Sequence, residues 1–531
     1  MREIIIFFSL SIMCFIAVLS YGKDNSVPRD AYVSAITSDI RNFISFYADD
    51  SSSAGISSLI YDGLTKIDKN FNIIGSLAEK WDIEKDGLEI IFYLRKNVKW
   101  HDGVQFTARD VYFTYMTILN PETASPYISE FNLIDKIEII DDYTVRFKYK
   151  EPFAPSLIKL GMGIIPEHIF KNDKNIKQEF SFSKIIGTGP YKIEQYEDSQ
   201  FIIFKANNDY FDGAPGIKYY VVKILPDQST MFLEMVSGNI DSSSLSPYQF
   251  RYRTASRDFL DEFDKYEYLA PSYTYIGYNL TNPVFMDKRV RLALNMAINR
   301  EELIKFVLLG YGESCSGPFI KNSIYYNQEV APSPYDLDKA KELLNSAGWR
   351  DSDNDGILEK DGKKFSITLL TNQGSELREN TATIIQKYWR IVGVDLKINI
   401  IAWPAFIEQF INKKNFEVVL LGWQLAVDPD PYAVWHSDAI KNGLNFISYS
   451  NKEVDMLIEQ GRRTFDINKR VEIYRKIHEK IAEDAPYGFL FFEETLTALN
   501  KRFKGVEPSP AGIAHNFLKW AVPDKEVKYK I

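Results

Sequence analysis

The chain has 531 residues, 45% hydrophobic and 25% charged, with a formal net charge of −9. That length exceeds what one hydrophobic core organises, so two or more domains are expected, and the composition excludes a disordered or low-complexity chain. The acidic balance excludes nucleic-acid binding, which needs a basic face to neutralise phosphates, and the lysines scattered between Val506 and Ile531 read as solvated surface.

Along the chain, residues 4–19 form one uncharged apolar block behind Met1-Arg2-Glu3. The block is shorter than the ~20 residues of a membrane-spanning helix and fits the apolar region of a secretory signal. Ser20-Tyr21-Gly22 places small residues where signal peptidase reads, which predicts cleavage before Lys23 and a periplasmic product. Glu3 offsets Arg2, so an uncleaved anchor at the outer face of the cytoplasmic membrane is the alternative. Cys14 sits inside the apolar block after Met13, a poor lipoprotein acceptor, and only Cys315 would survive cleavage, so no internal disulfide is expected.

Leu88 to Leu94 is an apolar, β-branched and aromatic run, and Tyr143 to Lys150 alternates strictly; both predict strands. Gly187-Thr188-Gly189-Pro190 imitates the start of a dinucleotide fingerprint, but Lys192 stands where the third glycine belongs, so a tight turn before a strand is expected. After Asp287, Val290, Ala293, Leu294, Ala297 and Ile298 form a helical stripe. Asn299 with Glu302 then reads as a fresh N-cap, and Gly310 as the stop. Asp336 caps a helix ended by Gly348, a strand is expected from Lys364 to Leu370, and Leu377 to Val392 makes a longer helix ended by Gly393. Val471, Tyr474, His478 and Ile481 mark another helix, and no repeat of 20 to 50 residues recurs. Mixed α/β without strict alternation is the fold class.

Catalytic motifs are missing. The five histidines, at 101, 168, 436, 478 and 515, are scattered, and there is no HExxH, paired cysteine, GxSxG or GxxxxGK. One stretch has metal-binding form: Asp351, Asp353 and Asp355 with Gly356 match the start of an EF-hand calcium loop, although Gly362 stands where the bidentate glutamate belongs. A structural calcium or an Asx-rich turn both fit; no other cofactor is expected.

Several segments, in order, resemble the extracellular solute-binding proteins of the oligopeptide, dipeptide and nickel type. They are Ile60-Tyr61-Asp62-Gly63-Leu64, Leu77 to Trp81, Phe92 to Val111, Gly187 to Tyr191, Asn208 to Phe211, Asp287 to Arg300, Ala347-Gly348-Trp349, Gly422-Trp423 with Asp428-Pro429-Asp430, and Asn445-Phe446 with Tyr449. The resemblance implies a two-lobed, type II periplasmic-binding-protein-like α/β fold with an extra inserted domain. After a signal peptide at 1–22, domain I would comprise 23–53, 184–272 and 494–531, domain II 54–183, and domain III 273–493. It further implies the substrate-binding component of an ABC importer, a monomer that closes on a solute and docks on permease subunits without catalysis. Peptide binders of this kind hold an extended main chain by its hydrogen bonds and leave side chains in roomy pockets. By motif matching, Trp423 and Gln424 would line the slot, with Trp403, Tyr275 and Tyr127 as neighbours. Well-studied peptide binders place an aspartate three residues after this tryptophan to hold the peptide ammonium, and here that position is Ala426. Asp428 or Asp430 would then take over, or the ligand is not a free-amine peptide. An oligosaccharide or metal chelate on the same fold, a secreted hydrolase with paired carboxylates, and a chaperone-like role are the competing readings.

Overall fold

A computed structural model describes residues 27–528 except 29, 49, 174, 175, 177–181 and 226. The expected signal segment at 1–22, with Cys14, lies outside the described residues, and among the described ones no helix is long and apolar enough to cross a membrane.

Three main sheets organise the chain. The first runs in the order Ala31–Ile36, Tyr219–Ile224, Phe201–Ala206, Tyr191–Glu197, its first pair parallel and the others antiparallel. The second is an antiparallel sheet, Ala78–Glu84, Glu89–Leu94, Thr144–Tyr149, Ile134–Asp141. Thr144–Tyr149 alternates between half-buried and buried residues, as its period-two sequence dictates. The third sheet has seven strands, and two of them, Phe263–Tyr278 and Tyr487–Asn500, are long enough to serve both lobes. Their first pairing joins Phe263–Leu269 to Glu494–Asn500, and their second joins Tyr273–Gly277 to Tyr487–Phe492. Between them the register shifts, with three residues of one strand facing a single residue of the other. This is a bulge that bends the ladder where it passes between lobes.

The helices start where their caps dictate. Asp287, Asn299, Asp336 and Ser375 each accept an amide hydrogen bond from the first turn of Lys288–Met296, Arg300–Val307, Leu337–Ser346 and Glu376–Ile391. One expectation shifts. The strand foreseen from Lys364 runs Ser366–Asn372 instead, because Asp361 and Gly362, both at positive φ (52° and 72°), close a two-residue hairpin between Glu359–Lys360 and Lys363–Lys364.

The amino-terminal signature segments turn out to be one joint. The His101 ring accepts the Gly187 amide at 3.2 Å, contacts the Gly189 carbonyl at 3.0 Å, and its own amide donates to the Gly187 carbonyl. A side chain at Gly187 would stand 1.8 Å from the Ile60 carbonyl oxygen, so glycine there is a matter of close approach. Beside it, the Asp62 carboxylate accepts hydrogen bonds from Thr188 (3.0 Å) and Tyr210 (2.9 Å). Burial raises the pKa of Asp62 to about 6, the two hydroxyl donors and Lys66 pulling it only part of the way back.

A displacement of that size is about 3 kcal/mol. Because the folded-state pKa lies above the ordinary value, the contribution of Asp62 is full below about pH 4 and is lost as the pH rises through about 6. Asp62→Asn is therefore expected to gain melting temperature on the wild type between pH 4 and pH 7, whatever constant offset the changed hydrogen bonds introduce. A difference that stays flat over that range contradicts the assignment.

Candidate functional site

The strand Val418–Gln424 lies in the third sheet between the parallel strand Ser366–Asn372 and the crossover strand Phe263–Tyr278. Its apolar first half is buried on both sides, and its carboxyl end carries Trp423 opposite Tyr273 and Gln424 opposite Ser272. In open sheets with parallel strands, the carboxyl ends of the strands are where ligand crevices form. The next amide, Leu425 N–H, donates to the Pro271 carbonyl at 2.7 Å, tying the loop 425–431 to the bulge in the crossover strands.

Trp423 is half-buried. Its indole N–H donates to the Tyr487 hydroxyl at 3.2 Å, and its ring lies parallel to Tyr275 with centroids 6.3 Å apart. Tyr275 in turn stacks on Tyr487 at 3.9 Å, and Trp435 packs on Tyr487 at 4.7 Å. The stack fixes the plane of the Trp423 ring. Tyr275, expected beside the ligand, is fully buried behind Trp423 because its strand is covered on both faces, so it supports the indole rather than offering a surface. Trp403 is half exposed, stacks on Phe406, and lines none of the cavities described below. Tyr127 lines one of them, with its hydroxyl donated to the Ala48 carbonyl at 2.7 Å.

Past Trp423 the loop spends its carboxylates internally. Asp428 is buried and forms a two-pronged pair with Arg470, at 2.8 and 2.9 Å, and also accepts the Asp430 amide at 3.0 Å. Burial alone would lower the pKa of Arg470, but the adjacent Asp428 carboxylate outweighs it and holds the guanidinium charged. Asp430 lies 3.3 Å from Arg462; burial raises its pKa against the attraction of that guanidinium. Sequence reading did not find Arg470. The signal was an arginine on the buried stripe of Ile467–Asp484, in line with Ile473, Tyr474, Ile477, His478 and Ile481.

Three cavities meet at the exposed Ala426. One of about 200 Å³ is walled by Tyr273, Phe319, Trp423, Val434, Trp435 and Leu444. A second, of about 700 Å³, lies between the lobes, with Glu130, Phe153 and Lys159 on one side and Asp430, Tyr432 and Arg462 on the other. The third, about 410 Å³, has Ser45, Ser57, Tyr61 and Tyr127 in its wall and shares Glu130, Ile158 and Lys159 with the second. At the outer rim the lobes touch. Ala154 N–H donates to the Arg462 carbonyl at 2.7 Å, Glu151 pairs with Arg463 at 2.9 Å, the Arg462 guanidinium lies 5.0 Å from the centre of the Phe153 ring, and Phe465 packs against Gly87. The cleft is thus closed by the crossover strands at one side and this contact at the other.

Two further clusters bear on chemistry. His478 Nδ1 accepts the Asn327 amide at 3.1 Å, so its proton sits on Nε2 and is donated to the buried Ser316 hydroxyl at 3.2 Å. Burial lowers the histidine's pKa to about 4. A ring already donating to the hydroxyl is no base for it, so this pair is not a nucleophile and its base. In the acidic loop, oxygens of Asp351, Asp353, Asp355 and also Glu359 lie within 4.8 Å of one another. An all-oxygen set fits calcium rather than zinc, although the Lys364 ammonium already pairs with Asp353 and Asp355.

The model of the bacterial extracellular solute-binding proteins, family 5, matches residues 72–444. The oligopeptide-binding protein AppA of Bacillus subtilis is 36% identical over 487 residues, covering 90% of this chain and 89% of that protein. The solved AppA structure, in complex with a nonapeptide, matches with a TM-score of 0.77 at 34% identity, covering 93% and 99% of the two chains. NikZ of Campylobacter jejuni, in complex with Ni(L-His), matches with a TM-score of 0.79 at 28% identity, covering 93% and 100%.

Removing one partner of a buried pair strands the other charge, at a cost of about 3–5 kcal/mol. Arg470→Met is expected to lower unfolding stability by that order in chemical denaturation, and the double variant Asp428→Leu/Arg470→Met to recover most of it. A double variant no better than the single one would show that the pair does not act as a unit.

Proposed function

The chain belongs to the bacterial extracellular solute-binding proteins, family 5, and we propose that it binds a short peptide in the cleft at Trp423 and delivers it unaltered to the permease of an ABC importer. The observation that carries this reading is the junction at Ala426, an exposed loop residue shared by the walls of three cavities, one of them lined by aromatic rings. An extended peptide suits such a junction, because its main chain can follow one path while side chains enter separate compartments. A metal chelate such as the Ni(L-His) bound in the NikZ structure fits less well, since no histidine lines the three cavities. Hydrolysis is disfavoured by the tautomer of His478 and by the arginines that hold Asp428 and Asp430. The importer role supports export by the amino-terminal segment to the outer side of the cytoplasmic membrane, action as a monomer, and permease subunits as partners.

The ligand's ammonium, in this reading, is not held by a carboxylate of the 425–431 loop. Ala426 offers none, and Asp428 and Asp430 are already paired. The ammonium lies in water or against backbone carbonyls, where a neutral amide substitutes at little cost. The acidic loop at 351–359 serves as a structural calcium loop in which the ion displaces the Lys364 ammonium.

Titration calorimetry with short peptides is expected to show saturable one-to-one binding with no products by mass spectrometry. Trp423→Ala should weaken it at least tenfold at unchanged circular dichroism, and amino-terminal acetylation by less than about threefold. Loss of binding on acetylation would restore an ammonium anchor; turnover, or no binding by any peptide, would remove the reading. Millimolar calcium should raise the melting temperature more than magnesium does, and Asp351→Asn should cancel the difference. No rise in the wild type would mean that Lys364 alone neutralises the loop.

A further inference from the structure

The compartments that meet at Ala426 differ in character. The cavity between the lobes is charged: Glu130 pairs with Lys159 at 2.9 Å, and Asp430, Arg462 and Glu151 also line it. The cavity beneath Trp423 is walled by the rings of Tyr273, Phe319, Trp423 and Trp435 and by the aliphatic Val434 and Leu444. Tyr273, Phe319 and Trp435 are each about 2% exposed and belong to one packed cluster, so this wall is rigid. Its carboxylates, Asp428 and Asp430, are held by Arg470 and Arg462, and its remaining polar side chains, Ser323 and Gln424, are neutral. At about 200 Å³ it is smaller than a whole-ligand site but has room for one large side chain.

We infer that the ligand residue lying against Ala426 must carry a bulky apolar side chain, aliphatic or aromatic, which enters the cavity beneath Trp423. The inference rests on the peptide reading and narrows it from any short peptide to those with an apolar anchor at one fixed position. The physical reason is asymmetric. A leucine- or phenylalanine-sized group fills the cavity against existing rings, whereas a lysine or glutamate there loses its water and finds no free partner of opposite charge. An alanine leaves the cavity unfilled. The ligand's charged groups are relegated to the compartment between the lobes, where paired charges and open volume receive them without strong selection. The replacement of the ammonium-holding aspartate by Ala426 fits the same division, because a carboxylate at the mouth of the cavity would oppose the entry of an apolar group.

Calorimetry on a panel of alanine pentapeptides, with phenylalanine, leucine, lysine or glutamate placed at each position in turn, tests this. One position is expected at which phenylalanine or leucine binds at least tenfold more tightly than alanine, lysine or glutamate, the other positions varying less than threefold. Val434→Asp should bring the phenylalanine-to-alanine ratio at that position to within twofold. Leu444→Glu, at a half-exposed position in the wall, reads the same ratio should the first variant not fold. A flat profile at every position overturns the apolar anchor and leaves peptide binding standing. Preference for lysine or glutamate at the selective position overturns the anchor's chemistry. Failure of every peptide to bind removes the peptide reading itself, and the anchor with it.

Discussion

The crossover strands must run unbroken through both lobes and still bend between them, and the register break at Leu269–Tyr273 lets them do both. The ladder is antiparallel on either side of the break, with a second, smaller register shift between Thr274 and Tyr275, so the largest irregularity lies in 270–272. The Leu425 amide donates to Pro271, the middle of that short segment. Rotation of one lobe on the other therefore moves the loop that carries Ala426 and Asp428, and a guest lying on that loop feels the state of the bend directly.

The interior of the cleft is arranged so that few charges are left for a ligand. Asp428 with Arg470 is a buried pair, whose desolvation offsets much of the attraction between the two charges. Here the pair fixes the loop against the first turn of Ile467–Asp484 and leaves its neighbour in the chain, Ala426, exposed at the cavities' meeting point. The aromatic stack behind Trp423 does the same for the other wall.

Local rules carried much of the fold into view. Asn299 and Asp336 mark their helices because a cap needs only the residues next to it, and Asp287 stands just before its own. The hairpin at Asp361-Gly362 was hidden because Lys364, its last residue, runs directly into the apolar strand that follows. The site was harder. Trp423 and Gln424 line a cavity at the end of their strand, whereas Asp428 meets Arg470 across 42 positions, a distance no local spacing encodes. Tyr273 and Tyr275 share a strand face and an alternating pattern, and only the strands packed on both sides distinguish a cavity wall from a buried support. Trp403 opens a short helix after the edge strand Asp395–Ile401, and its placement depends on sheet order rather than on its neighbours.

The contacts of Phe465 with Gly87 and of Ala154 with Arg462 seal the cleft away from the bulged strands, and any opening of the cleft has to break them. A hydrogen bond and a ring contact vanish within an ångström or two, but the attraction of Glu151 for Arg463 reaches to the Debye length. Dissolved salt, by shortening that reach, should slow the jaws' return far more than it loosens them once shut.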